Sequence, residues 1–270
     1  WKEYLAELEA PSYLPFIQDA SKRNKVFGDT DEIFRFSERL TKSIESYAEK
    51  NHLTVNTIFQ GAWSYLLSIY TGQKQVVFGA TISGRDSDVD GIENKVGMYI
   101  NTIPVTANID KEIEISNWLK NIQQDHTEAR TEFGELSLTS IEAQSNVKGL
   151  LFDTILVFEN YPVNLPASNI SSGFEITNLT VEENTNYDLS LIFFYSDGDL
   201  HLRLMYNDQL LAQDTVEMIQ SHMLTVLDSM TSVAERLDDL TYMNKQEEQK
   251  LIQKFNQTTK QFSDKELLDA

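Results

Sequence analysis

The chain contains no cysteine, which excludes disulfides, thiol nucleophiles and cysteine-ligated zinc and fits a reducing cytoplasm. Basic residues are also scarce, because 22 Lys and Arg stand against 42 Asp and Glu, for a formal net charge of −20 at pH 7. Such an excess of negative charge repels nucleic-acid phosphates and anionic lipid. No apolar run approaches the roughly 20 residues that span a bilayer, and the N-terminal residues lack a signal-peptide layout. We therefore predict a cytoplasmic protein with neither nucleic acid nor membrane as a partner.

Histidines are few, and none stands at metal-ligand spacing from another. Each of the four, His52, His126, His201 and His222, is interpreted as a surface residue. Residues 86–91 (DSDVDG) have the opening of a calcium loop, but Gly97 stands where that loop requires a bidentate Glu. A solvated acidic loop is the simpler interpretation, with calcium as the alternative. We predict no metal site.

What the sequence does contain is a mixture of strand and helix patterns. Short apolar runs rich in β-branched residues predict strands, and the runs 76–82 and 98–105 are predicted to be covered on both faces. Asp197-Gly198 predicts a hairpin. The predicted strands are 32–36, 76–82, 98–105, 151–158, 187–195 and 200–206. Between Phe174 and Val181 the apolar alternation changes phase, which predicts a bulge or a strand that changes neighbours.

Apolar residues at helical spacing predict the helices. These are 40–48, a core helix from a Thr54 cap to Tyr70 that ends at Gly72, 113–133, a short stretch at 136–143, and a last helix marked by residues 219–237. Trp1, Leu5 and Leu8 share one face of the first segment. Because a hairpin follows alternating strands and helices, we predict an α/β (α+β) fold, a mixed sheet with packed helices.

Polar residues at the ends of the predicted strands are the candidates for function. Ser83 follows the strand 76–82 and is interpreted as a turn residue, since no G-x-S-x-G elbow surrounds it. Asn101 and Asn160 lie at the ends of apolar strands, where an amide either fastens a neighbouring loop or orients a substrate. These patterns contain no self-contained catalytic set.

Five passages resemble the C-terminal half of the condensation domains of nonribosomal peptide synthetases. They are WKEYL at 1–5, IFQGAWSYLLSIYTGQKQVVFGATISGR at 58–85, VGMYINT at 96–102, FDTILVFENYP at 152–162 and FNQTTKQFSDKELLDA at 255–270. The last is similar to the linker that leads into an adenylation domain. Residues 145–152 (SNVKGLLF) depart from the family motif R-D-x-S-R-N-P-L, and Lys148 is the one basic residue kept there.

The resemblance implies a chloramphenicol-acetyltransferase-like half-domain at 1–237 and a linker toward an adenylation domain at 238–270. In the family, an acceptor amine attacks a donor thioester, with both substrates delivered on the phosphopantetheine of carrier proteins. The family's His-His-x-x-x-Asp-Gly motif lies in the other half, and this chain has no His-His pair. No catalytic residue and no directly bound cofactor are therefore expected here, and whether the piece is an enzyme alone is left open.

By the same resemblance, Ser83, Arg85, Asn101 and Asn160 would position the acceptor in the substrate tunnel, and residues 85–95 would form part of its floor. The implied partners are the N-terminal condensation subdomain, the upstream and downstream carrier proteins and the adenylation domain. Two alternatives remain open. One is a non-catalytic half-domain that docks a carrier protein or partner chain. The other is an epimerization-type relative, whose motif has Trp-Phe-Thr where this chain has residues 99–101 (YIN).

Overall fold

The computed structural model describes residues 1–18, 30–84, 91, 95–97, 99–159 and 185–255 of the chain. Within these ranges, six strands form one sheet with the order β1-β6-β5-β4-β2-β3. The strands are β1 (Thr30–Arg35), β2 (Gln75–Ile82), β3 (Asn101–Asn108), β4 (Thr154–Glu159), β5 (Leu189–Ser196) and β6 (Asp199–Tyr206). The pairs β2–β4 and β4–β5 are parallel and the other three pairs are antiparallel. The predicted mixed sheet and its hairpin are confirmed.

Six α-helices accompany the sheet in the described residues. They are α1 (Glu38–Asn51), α2 (Val55–Thr71), α3 (Ile115–Phe133), α4 (Leu138–Glu142), α5 (Gln213–Ser232) and α6 (Lys245–Phe255). Thr54 caps α2, because its side chain accepts a hydrogen bond from the backbone N–H of Thr57. Gly72 ends the same helix in a left-handed conformation with φ 72°. None of the helices within these ranges is long and apolar enough to cross a membrane.

The sheet is buried on both faces around β2. Val76, Phe78 and Ala80 belong to a large core that the helices α1, α2 and α5 complete. Val77 belongs to a second, smaller core with Ile103 and Ile155. That second core also includes Trp1, Leu5 and Leu8, which confirms the predicted apolar face of the first segment. The segment consists of turns rather than a regular helix.

The end of the last long helix differs from the prediction. α5 ends at Ser232, and Val233, which was expected on its buried face, is 79% exposed. The chain leaves the helix there and pairs with the segment before α3, where the Ile115 N–H donates to the Glu235 carbonyl at 2.9 Å. Leu237 is buried in a short 3-10 helix (Leu237–Asp239). Its helical spacing from α5 is therefore fortuitous, because a different element buries it.

Strand boundaries also move, and the largest shifts are those of β3 and β4. The predicted strand 98–105 is observed as β3 at Asn101–Asn108, because pairing with β2 continues to Gln75 opposite Asn108 through polar residues. Ile100 precedes the strand and is exposed, and residue 98 lies outside the described residues. β4 begins at Thr154 rather than at Leu151, although Leu151 is buried. A buried residue in an apolar run therefore need not belong to the part of the strand that pairs with its neighbours.

The outer edge of β3 is closed by side chains. The N–H of Thr102 donates to Asn101 Oδ1 at 2.9 Å, and the N–H of Thr106 donates to the Tyr4 hydroxyl at 3.1 Å. Pro104 has no N–H to offer, and the Asn108 carbonyl accepts from Trp118 Nε1 at 2.8 Å. An edge strand with open hydrogen-bonding groups can pair with another chain. Because of these contacts, few hydrogen-bonding groups on the outer edge of β3 remain for a further strand to pair with.

His222 is not the surface residue that the sequence suggested. It is 3% exposed on α5, with Nδ1 2.8 Å from the Tyr70 hydroxyl and Nε2 2.9 Å from Glu247 Oε2. Burial and the nearby Glu247 carboxylate raise the pKa of Tyr70, so this hydroxyl keeps its proton. The prediction failed because Tyr70 and Glu247 reach His222 from α2 and α6, far away in the sequence.

The segment 240–247 is fastened to α2 and α5. Its contacts are Leu240 O with Tyr65 Oη at 3.1 Å, Thr241 N with Ser229 Oγ at 3.2 Å, Asn244 Nδ2 with Ser221 Oγ at 2.8 Å, and Glu247 with His222. The segment leads into α6, whose Lys245, Gln246 and Glu248 are exposed. The boundary between residues 237 and 238 stays a prediction.

His126 on α3 is half-buried rather than a surface residue, and it gives the stability of the fold a pH dependence. Burial, reinforced by the charge of Arg130, lowers the pKa of His126 from 6.5 to about 4. Since the unfolded chain binds this proton more readily, stability is complete above about pH 6.5 and falls as the pH drops toward 4. The expected loss is at most about 3 kcal/mol.

Urea unfolding of the protein and of His126→Gln across this pH range measures the effect. The wild-type protein should lose more free energy of unfolding between pH 6.5 and 4 than the variant. Equal losses would mean that His126 is protonated as easily in the folded protein as in the unfolded chain.

Candidate functional site

The candidate site begins where β2 ends. Ile82, the last residue of β2, pairs with Asn101, the first residue of β3, so Ser83 and Asn101 lie at the same end of adjacent strands. β4 runs parallel to β2, with Ala80 opposite Leu156, and therefore ends at Glu159 toward this same end. The carboxyl ends of parallel strands are the usual location of binding sites in such sheets. The structure thus places Ser83 and Asn101 at the same end of the sheet.

The turn after Ser83 is packed tightly against the chain that enters β3. Gly84 has φ +63°, and a Cβ atom built on it would lie 1.8 Å from the carbonyl oxygen of Tyr99. Only glycine fits both this conformation and this approach. The Ser-Gly turn is therefore fixed by backbone contact with the residues just before Asn101.

The side chain of Asn101 fastens the loop between α3 and α4. Its Nδ2 donates to the carbonyls of Gly134 at 2.9 Å and Leu136 at 2.8 Å, while its Oδ1 accepts from Thr102 N. Both N–H groups of the amide are used in this way, which favours the loop-fastening interpretation over a direct contact with substrate. Asn101 positions two neighbouring segments at the site. Nothing in the sequence pattern links it to Gly134 or Leu136.

Arg85 and Asn160 lie outside the described residues, as do positions 86–90 and 92–94 of the acidic loop and the phase change between Phe174 and Val181. No group of three or more His, Asp or Glu side chains able to hold a metal ion occurs in the part of the chain that the structure describes. The predicted roles of Arg85 and Asn160 stay predictions.

Three exposed apolar residues flank the backbone groups that the Asn101 amide joins. Ile100, which is 63% exposed, precedes Asn101; Phe133, 43% exposed, precedes Gly134; and Leu136, 45% exposed, accepts a hydrogen bond through its own carbonyl. Trp1 Nε1 donates to the Phe133 carbonyl at 3.1 Å, which brings the first segment to the same place. Contiguous exposed apolar side chains mark protein-binding surfaces, and these three residues are the candidates for such a surface at this end of the sheet. We call Ile100, Phe133 and Leu136 the apolar rim.

Replacing Asn101 by aspartate should loosen this end of the sheet. A carboxylate has no N–H for the carbonyls of Gly134 and Leu136 and would face both with like partial charge, so we expect a loss of about 1 to 3 kcal/mol in the free energy of unfolding. Asn121→Asp, on the exposed face of α3, is the matched control. Denaturant unfolding of both variants tests this, and similar losses would contradict the loop-fastening role.

Comparison with known proteins identifies the family of this chain. The family model described as "Condensation domain" matches residues 1–252. Bacitracin synthase 3 of Bacillus licheniformis is 32% identical over 261 residues, covering 96% of this chain and 4% of that protein. Bacitracin synthase 1 of the same organism is 30% identical over 262 residues, covering 96% of this chain and 5% of that protein. The chain thus spans a small part of these relatives.

Solved structures share the fold. A four-domain nonribosomal peptide synthetase bound to AMP and glycine matches with a TM-score of 0.75 and 17% identity, over 91% of this chain and 20% of that one. The first condensation domain of the CDA synthetase matches with a TM-score of 0.66 and 12% identity, over 90% of this chain and 52% of that one. The chloramphenicol-acetyltransferase-like fold class is confirmed. The chain belongs to the condensation-domain family of nonribosomal peptide synthetases.

Proposed function

We propose that this chain is the C-terminal half of a condensation domain that forms peptide bonds between aminoacyl or peptidyl thioesters held on carrier proteins. Its part is the acceptor-side wall of the substrate tunnel. The observation that carries the proposal is the register of β2 and β3, which sets the Ser83 turn beside Asn101 at one end of the sheet. The 52% share of a condensation-domain structure that the chain covers supports the half-domain assignment.

In the proposed reaction, the acceptor amine nitrogen attacks the donor thioester carbonyl. A C–N bond forms, the C–S bond breaks, and the carrier thiol leaves as the amine gives up a proton. The His-His-x-x-x-Asp-Gly motif would come from the N-terminal half, because this sequence has no His-His pair. Phosphopantetheine takes part as the arm of the carrier proteins, so this chain need not bind a cofactor itself.

This chain would contribute by positioning. Ser83 would approach the acceptor amine, with Arg85, Asn101 and Asn160 shaping the tunnel around it. Holding two tethered substrates in attack geometry can lower a barrier by roughly 7 to 11 kcal/mol. Asn101 would act indirectly, because its amide donates to the carbonyls of Gly134 and Leu136 rather than to the substrate.

The apolar rim supports a requirement for the N-terminal half. Ile100, Phe133 and Leu136 expose apolar surface next to Asn101, and a partner that covered them would gain about 25 cal/mol for each Å² buried. We assign the N-terminal subdomain as that partner. The carrier proteins and the adenylation domain would then be held in the same polypeptide or its complex.

A condensation assay with loaded donor and acceptor carriers tests the proposal, using this chain alone and with the upstream half added in trans. Product only with the added half is the expected result. Product from this chain alone would place the catalytic groups here and overturn the assignment. Association of the halves without product would favour the docking half-domain instead.

Ser83→Ala in the complete two-half domain tests the residue assignment. Loss of a hydroxyl near the amine should lower turnover or change acceptor selectivity, by about 10-fold if one hydrogen bond is lost. Ser232→Ala, at the exposed end of α5, is the control. Unchanged turnover and selectivity in Ser83→Ala would remove Ser83 from the acceptor site.

A further inference from the structure

The loop between α3 and α4 is held by side chains from two other segments of the chain. The carbonyl of Phe133 accepts a hydrogen bond from Trp1 Nε1 at 3.1 Å. The carbonyls of Gly134 and Leu136 accept from Asn101 Nδ2 at 2.9 and 2.8 Å. Because the last carbonyls of a helix have no partner within the helix, these two donors determine where the chain goes after α3.

The same loop is packed against the strand that leads to Ser83. A Cβ atom built on Gly134 would lie 2.9 Å from Ile82 Cδ1, so almost no space separates the loop from the last residue of β2. Trp1 and Ile82 also belong to the same small core. Since protein interiors are close-packed and transmit displacement, a shift of the loop should move Ile82 and the Ser83 turn that follows it.

The indole of Trp1 is itself fixed in place. Trp1 is 9% exposed, and its ring lies edge-on to the ring of Tyr4, with the centroids 5.3 Å apart. The ring of Phe133 lies 6.3 Å away, tilted by 59°. Tyr4 is in turn anchored to β3, because its hydroxyl accepts from the Thr106 N–H at 3.1 Å. The indole N–H therefore has a defined direction, and it can determine the position of the loop.

We propose that Trp1 is a positioning residue for the acceptor site, which acts through the α3–α4 loop and Ile82 on the Ser83 turn. Asn101 holds the loop from β3, and Trp1 holds it from the first segment. This role rests on the proposed condensation function, whereas the contacts that carry it do not. The first segment is then part of the support of the site as well as part of the small core.

Trp118 offers a matched control elsewhere on β3. Its Nε1 donates to the Asn108 carbonyl at 2.8 Å, and the residue is 3% exposed. Trp1→Phe and Trp118→Phe each keep an aromatic ring and remove one hydrogen bond to a backbone carbonyl. The structural losses are alike, but Phe133 adjoins the candidate site whereas Asn108 ends β3 at the opposite edge of the sheet.

Kinetics of the complete two-half condensation domain give the first test. Trp1→Phe should lower kcat for peptide-bond formation about 10-fold, the equivalent of one hydrogen bond. The KM for the acceptor carrier should not change, because placement of the reacting groups affects the transition state rather than binding. Trp118→Phe should leave both constants unchanged. An unchanged kcat in Trp1→Phe, a change confined to KM, or equal losses of kcat in the two variants would overturn the proposal.

A fluorine signal at position 83 gives a second test that needs no catalysis. The chain has no cysteine, so Ser83→Cys introduces a single thiol that can carry a trifluoromethyl label. Trp1→Phe should shift or split the fluorine resonance of the labelled chain, and Trp118→Phe should not. The same spectrum in both variants would contradict the positioning role. A response to Trp1→Phe in a domain that forms no product would instead refute the condensation function and leave the link from Trp1 to Ser83 standing.

Gly134→Ala takes the place of Trp1→Phe if that variant does not fold. Its Cβ would press on Ile82 Cδ1 and, more closely still, on the Arg130 carbonyl oxygen, so the loop would have to move. We expect the same loss of kcat and the same change of the fluorine signal. If neither changes, the loop does not position the Ser83 turn.

Discussion

Replacing Gly84 by alanine in the complete condensation domain should lower its rate of peptide-bond formation by about 100-fold, the cost of misplacing reacting groups by about 1 Å. The new Cβ would lie 1.8 Å from the Tyr99 carbonyl oxygen. That oxygen is backbone, so it can move away only if the chain entering β3 moves with it. Ser83 on one side and Asn101 on the other would both be displaced. Steady-state kinetics with saturating acceptor carrier measures the loss.

Gly198→Ala provides the matched control for this prediction. Gly198 also has a positive φ, +85°, but nothing lies within 4 Å of a Cβ built on it. Gly198→Ala should therefore lower the free energy of unfolding by about 1 kcal/mol, the cost of the left-handed conformation. Because no atom clashes with the new Cβ, the rate of peptide-bond formation should not fall. Comparable rates for the two variants would mean that the turn after Ser83 does not position the reacting groups.

Ending the chain after Leu237 should destabilise it by about 5 to 7 kcal/mol. This estimate counts four lost hydrogen bonds at about 1 kcal/mol each and the burial of Leu240. The removed segment supplies the partners of Tyr65, Ser221, His222 and Ser229 on α2 and α5. Thermal and urea unfolding of the shortened chain measures the effect. A chain that ends after Phe255 keeps all four contacts and is the control.

A point variant separates the fastening of this segment from the loss of chain length. Glu247→Gln weakens the contact with His222. Glu248→Gln is the same chemical replacement at the exposed neighbouring residue and is the control. We expect Glu247→Gln alone to lower the melting temperature. If the two shortened chains were equally stable and the two point variants equivalent, residues 238–247 would behave as a free linker.

The sequence predicted what depends on short-range patterns. Apolar runs bounded by glycine marked β2, and Asp197-Gly198 marked the β5–β6 hairpin, because backbone period and turn chemistry are local properties. Ser83 and Asn101 were identified as strand-end residues for the same reason. Their proximity follows from the β2–β3 register, which the two runs fix when they pair.

Contacts between distant segments could not be predicted in this way. His222 gives no sign in the sequence that Tyr70 and Glu247 will reach it, and Leu237 kept helical spacing although a separate turn buries it. Gln60 falls within an apolar helix and its partner on α3 is 66 positions away. Polar residues inside apolar elements are nonetheless a useful signal, since they must find partners somewhere in the fold.

The hydrogen bond that the Thr106 N–H donates to the Tyr4 hydroxyl has a consequence for where a synthetase of this kind can be divided. A division after Pro11 would separate β3 from Tyr4, and also from Trp1, Leu5 and Leu8 of the smaller core. Exchange of segments between related synthetases should therefore keep residues 1–8 with β3.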